Sequence, residues 1–285
     1  MNEYIVSGYA RPELLATPEW LSENLGRPGF GVLDTRWRPD GSGRRLYASG
    51  HIPGATYVDW RADLVEPEDD SDILLMAGPQ RVTEALTRAG IGNGMAVVLY
   101  DDVAASYAAR VWWTLRVYGL ESARIMIGGL EGWRALGQPI STAAELRPPI
   151  TFTPHLRSRL RLGASDVRQL LDSPAVQLLD ARTPTEFAGH AGGTRRLGHL
   201  PGALNVPASA TTEPRTGRFR TSAELWTLLR RTGVNPRRRL ICYDSAGMGA
   251  CKLAFALTLI GCDDVAVYDG GWIEWGDRLD LPTES

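Results

Sequence analysis

Long apolar runs, cysteines and unbalanced charge are all scarce in this 285-residue sequence. No stretch approaches the roughly 20 apolar residues that a membrane-spanning helix needs. The opening residues, Met1 to Glu19, carry charges and prolines in place of a continuous apolar signal core, which argues against export. A formal net charge of −2, with no basic excess, gives no electrostatic reason to expect a nucleic-acid or anionic-membrane partner. The three cysteines, Cys242, Cys251 and Cys262, crowd into one short window whose spacing suits neither a zinc site nor a disulfide framework. Free thiols fit a reducing compartment, so a cytoplasmic location is expected, and neither a metal nor an organic cofactor is implied.

The chain is 44% hydrophobic and 22% charged, and long enough for two domains with a core each. Its signals come in one order and then come again. In the first half the patterning predicts a helix over Trp20 to Leu25, a strand over Gly31 to Asp34, and a Gly-rich loop through Gly41 and Gly43 to the turn Gly50-His51-Ile52-Pro53-Gly54-Ala55. An acidic stretch from Glu66 to Asp72 reads as exposed. A helix over Pro79 to Gly90, a buried strand over Ala96 to Tyr100, a helix over Tyr107 to Tyr118 and a strand over Ala123 to Ile127 follow, closed by Gly128-Gly129-Leu130-Glu131-Gly132-Trp133. In the second half the matching marks are a helix over Ala164 to Leu171, a strand over Val176 to Asp180, the turn Gly198-His199-Leu200-Pro201-Gly202-Ala203, strands over Leu240 to Tyr243 and Val265 to Tyr268, and Gly270-Gly271-Trp272-Ile273-Glu274-Trp275.

Corresponding marks lie about 145 residues apart, as with Asp34 and Asp180 or Tyr100 and Tyr243, so the sequence holds two copies of one fold. Alternating strands and helices make each copy an α/β unit on a mostly parallel sheet, with sites at the carboxyl ends of its strands. The boundaries expected are a first domain over 1–140, a Pro-bearing linker over 141–160 and a second domain over 161–285.

The segment Arg239 to Lys252 draws the most attention. A buried strand ends in Tyr243-Asp244, the loop Ser245-Ala246-Gly247-Met248-Gly249 follows, and an apolar helix reads from Ala250 to Ile260. A strand entering a helix through a tight loop collects backbone N–H groups at the helix's positive end, a cradle for an anion or an activated nucleophile.

Together with Asp34-Thr35-Arg36, both Gly-His-x-Pro-Gly-Ala turns, Ala108-Ala109-Arg110-Val111-Trp112-Trp113 and the closing Asp269-Gly270-Gly271-Trp272, this segment resembles the tandem rhodanese-like sulfurtransferases. That family includes thiosulfate and 3-mercaptopyruvate sulfurtransferases. The resemblance implies two rhodanese-like domains, of which the second carries the active-site loop, and a small anionic substrate in the cleft between them. No protein partner is implied. Family members place a persulfide-forming cysteine directly after the Tyr of the central strand. Here that position is Asp244, and the first copy pairs it with Asp101.

A carboxylate cannot form a stable S–S bond, so the ordinary persulfide cycle is not expected of Asp244. Three roles remain: a fixed anion filling the cradle, a general base, or an oxygen nucleophile. The second and third would make the protein a repurposed hydrolase or lyase; the first, a non-catalytic binder of an anion or partner. Cys251, early in the helix, is the candidate substitute thiol. Substrate binding is expected from Arg182, Arg195 and Arg196, since Glu186 stands where mercaptopyruvate enzymes resemble one another in using an arginine. His51 and His199 are expected to staple their turns.

Overall fold

The computed structural model describes residues 8–67, 73–145 and 147–285; the acidic stretch 66–72 lies mostly outside them. In the first half β1 (Leu15–Ala16), α1 (Pro18–Asn24), β2 (Phe30–Asp34), α2 (Gly43–Ser49), β3 (Ala55–Tyr57), α3 (Trp60–Leu64), α4 (Pro79–Arg88), β4 (Ala96–Tyr100), α5 (Ser106–Val117), β5 (Ala123–Met126) and α6 (Gly129–Ala135) follow in order. The second half runs β6 (Arg161–Leu162), α7 (Ala164–Leu170), β7 (Val176–Asp180), α8 (Pro184–Phe187), β8 (Leu204–Asn205), α9 (Ser222–Thr232), β9 (Arg239–Tyr243), α10 (Met248–Leu259), β10 (Val265–Tyr268) and α11 (Gly271–Asp277).

Each half is a five-stranded parallel sheet, in the order β1-β5-β4-β2-β3 and β6-β10-β9-β7-β8. The central strands are buried along nearly their whole length, as parallel strands with helices on both faces must be. Among the described residues no helix is long and apolar enough to cross a membrane.

One expectation fails at α2, where a Gly-rich loop was predicted. The Asp40 carboxylate accepts the Ser42 N–H at 3.0 Å and starts the turn. Gly43 is there for closeness, because a Cβ would come within 2.7 Å of the Arg36 carbonyl oxygen. Helix α9 has no counterpart among the sequence expectations, although its ends are well marked. Thr221 and Glu224 form a capping box, and Gly233 closes the helix in the left-handed conformation.

The two halves share one apolar core, centred on α5 and α10. Helix α10 is buried on every side from Ala250 to Leu259, and Trp112 meets Phe255 edge-on with ring centroids 4.8 Å apart. Arg110 on α5 and Lys252 on α10 occupy matching positions in the repeat, and both are buried. Arg110 is paired: its guanidinium lies 2.8 Å from Asp269, which also accepts from Arg161 and from the Met76 N–H.

Lys252 has no such partner. The residue after β5 that matches Asp269 is Ile127, and the Lys252 amine donates to Thr212 at 3.0 Å. Burial lowers its pKa to about 8, with Asp101 opposing the shift. Lys252 is also the only lysine beside 30 arginines. A guanidinium stays charged in such a place, whereas an amine can release its proton.

Two outcomes follow from these buried cations. Asp269→Ala would leave Arg110 uncompensated, and urea denaturation is expected to show a loss of about 3–5 kcal/mol. For Lys252 the unfolded chain keeps its proton up to about pH 10.5 and the folded chain only to about 8, so stability rises with pH across that window. Lys252→Met is expected to be more stable at pH 7 by about 1–3 kcal/mol, the gain shrinking as the pH passes from 8 to 10.5.

Candidate functional site

The carboxyl end of β9 delivers Asp244 to the start of the loop, and Gly247 makes the loop possible. At φ +96 it sits in the left-handed region as the N-cap of α10, with the Arg110 guanidinium packed where a Cβ would project. The Asp244 carboxylate turns inward. One oxygen accepts the Gly247 N–H and the other accepts the Gly249 N–H at 2.6 Å. Only 8% of the residue is exposed. Burial raises its pKa above the ordinary carboxylate value, while those two N–H groups and Arg110 pull the other way. The loop is fastened from outside as Trp272 donates to the Asp244 carbonyl at 2.7 Å and Ile273 to that of Ser245 at 3.2 Å.

The first copy is built alike. Asp101 accepts from the N–H groups of Val103, Ala105, Tyr107 and Ala108 at 2.8–3.0 Å, and burial raises its pKa too. In both halves an aspartate from the end of the central strand fills the ring of amides.

No thiol stands in that ring. Cys251 is fully buried one turn into α10, its Sγ 3.8 Å from Arg110, and burial pushes its pKa up to about 12 despite that guanidinium. Cys242 is buried within β9, and burial raises its thiol pKa far above the ordinary value; Cys262 is pushed up to about 11. Such thiols stay protonated and are poor nucleophiles at neutral pH.

The three candidate arginines do not converge on the loop. Arg182 is buried and engaged by Asp180 at 2.5 Å and the Gly198 carbonyl at 2.8 Å, tying the end of β7 to the Gly-His turn. Arg36 does the same with Asp34 and Gly50. Arg196 binds the carbonyls of Trp275, Gly276, Arg278 and Leu281, closing the end of α11. Arg195 is exposed, its backbone N–H donating to Asp277 at 2.7 Å.

An acidic side chain also stands beside the loop. Glu186 caps α8 through Thr183 and stands 3.5 Å from the Ser245 hydroxyl. His51 and His199 each hold a carbonyl at 2.8 Å, of Tyr47 and Phe187, while stacking on the same residue's ring. Among the described residues no group of three or more His, Cys, Asp or Glu side chains is placed to hold a metal ion.

The rhodanese-like domain family matches residues 17–136 and 163–278. The chain belongs to the rhodanese family. It is 32% identical to the thiosulfate sulfurtransferase of Corynebacterium glutamicum, over 97% of this chain and 92% of that protein. The crystal structure of the 3-mercaptopyruvate sulfurtransferase SseA from Escherichia coli superposes with a TM-score of 0.83 at 28% identity, covering 91% of this chain and 98% of the other. An anaerobic ergothioneine biosynthesis enzyme from Chlorobium limicola, solved with trimethyl histidine, aligns at a TM-score of 0.84 and 25% identity, over 97% of this chain and 71% of its own.

Sequence reasoning missed Arg110 and Lys252 as the charged groups flanking the two rhodanese loops. Aligning α5 on α10 through the repeat would have paired them. A self-filled cradle has a direct readout: thiosulfate or sulfate should leave the wild-type melting temperature unchanged, yet stabilise Asp244→Ala by about 2–3 kcal/mol at about 100 times its Kd. Equal shifts in both proteins would mean that the carboxylate does not block the ring.

Proposed function

We propose that this chain is a sulfurtransferase-family homologue that does not run the persulfide cycle, its C-terminal loop being satisfied by its own aspartate. The observation that carries this reading is the Asp244 carboxylate accepting the Gly247 and Gly249 N–H groups, in the loop where the family resemblance expects the sulfur carrier. A persulfide cycle needs a thiolate that can attack a sulfane sulfur and later release it. A carboxylate offers no equivalent bond. Cys251 is no substitute, since it is buried and held protonated.

The small anionic substrate implied by the resemblance meets an altered loop. The central amides face Asp244, and Glu186 adds a second carboxylate beside Ser245. Binding of an anion at this loop therefore requires Asp244 to withdraw or to take up a proton. On this reading the chain is a non-catalytic homologue whose C-terminal cradle is closed to anions at neutral pH.

One observation favours a second reading. Burial raises the Asp244 pKa, which is the direction that makes a carboxylate a better general base. Asp244→Asn would abolish turnover of a substrate processed in that way, while leaving a closed loop merely closed.

The deciding experiment is thiocyanate release from cyanide with thiosulfate or 3-mercaptopyruvate as donor. Wild type and Cys251→Ser are expected at background. Asp244→Cys is expected to rise at least about tenfold, because the loop that would activate a thiolate is still in place. Wild-type turnover abolished by Cys251→Ser would defeat the proposal.

A further inference from the structure

A cavity between the two halves is lined by none of the residues of the Asp244 loop and is not used by the reading above. Its volume is about 370 Å³, within the range of small-molecule sites. It opens outside the carboxyl ends of β4 and β5, where open parallel sheets take their ligands. The first half contributes the loop Asp101–Ala105 and the turn after β5; the second half contributes 214–219, the far end of a hairpin closed by a bridge between Thr212 and Phe219.

The wall is shaped with care. Ala104 and Ala105 both hold positive φ, +54 and +64, a conformation that alanine adopts only under constraint. Gly217 at φ +65 lets the hairpin close on that loop, since a Cβ there would lie 3.2 Å from the Ala104 Cα.

The charges around the cavity are unequal in their commitments. Asp101 is engaged by four backbone N–H groups, Asp102 by Arg38 at 2.6 Å and Glu131 by Arg134 at 2.7 Å. Arg215 and Arg218 have no carboxylate partner among the described residues. Behind the hairpin the Lys252 amine is held by Thr212. Thr216 adds a hydroxyl, and Leu15, Ile125, Met126 and Phe219 make up an apolar part of the lining.

We propose that this cavity binds a small organic carboxylate with a short apolar body, its carboxylate on Arg215 and Arg218 and its body against Leu15, Ile125, Met126 and Phe219. Two free guanidinium groups suit a planar carboxylate, which each can bind in a bidentate fashion. The cradle amides of this half are already taken by Asp101, so an anion without an apolar body gains no ring of N–H donors here.

An NMR titration of the full-length protein with hexanoate tests the proposal, with acetate and sulfate as charge-only probes. Hexanoate is expected to saturate, moving the amide signals of Ala104, Ala105 and Gly217. Arg215→Glu with Arg218→Glu, both exposed positions, should weaken it at least about tenfold while the amide spectrum stays folded. Equal affinity in the double variant, sulfate binding as tightly as hexanoate, perturbations confined to 244–249, or no saturable binding up to about 10 mM would each overturn it. None of these results bears on thiocyanate release, so this site and the closed Asp244 loop stand or fall separately.

Discussion

Backbone N–H groups brought together at a strand-to-helix loop need an acceptor, and that need governs both halves of this protein. Left without water or a partner, each such donor would cost about 1–3 kcal/mol. Relatives named as sulfurtransferases share the fold at 28–32% identity, so the loop's frame is common property. The group inside it is what this chain's own residues decide. Here the acceptor is an aspartate supplied by the strand itself, in the second half as in the first. The fold supplies the loop, and what the loop can do rests with the residue at its centre.

The same repeat also shows how two equivalent positions diverge. Arg110 and Lys252 point across one interface from matching turns of α5 and α10, yet only Arg110 meets a carboxylate. The Arg110–Asp269 pair sits beside the Asp244 loop, with the guanidinium packed on Gly247. The positive charge that tempers the Asp244 carboxyl therefore comes from the other half of the chain. Joining the halves and setting the electrostatics of the loop are one arrangement.

Much of this was legible in the residues. The parallel α/β repeat follows from strand and helix signals that recur in the same order, and β4, β7 and β10 fall where the patterning puts them. Asp244 could be placed because Tyr243 and Gly247 bracket it. The arginines could not be assigned in the same way. Arg182 and Arg196 look free in sequence, but their partners are carbonyls and a carboxylate that only the folded chain brings near. Helix α2 was hidden because Gly41 and Gly43 read as loop signals, whereas Gly43 answers to close packing. The interdomain cavity depends on a hairpin from one half meeting a loop of the other, which no local pattern encodes.

The solitary lysine gives the interface a built-in reporter. Its amine is enclosed between α10 and Thr212, so an acylating reagent can reach this side chain only when the surroundings loosen. With no competing lysine elsewhere in the sequence, the rate at which that one side chain is labelled measures how often its surroundings open.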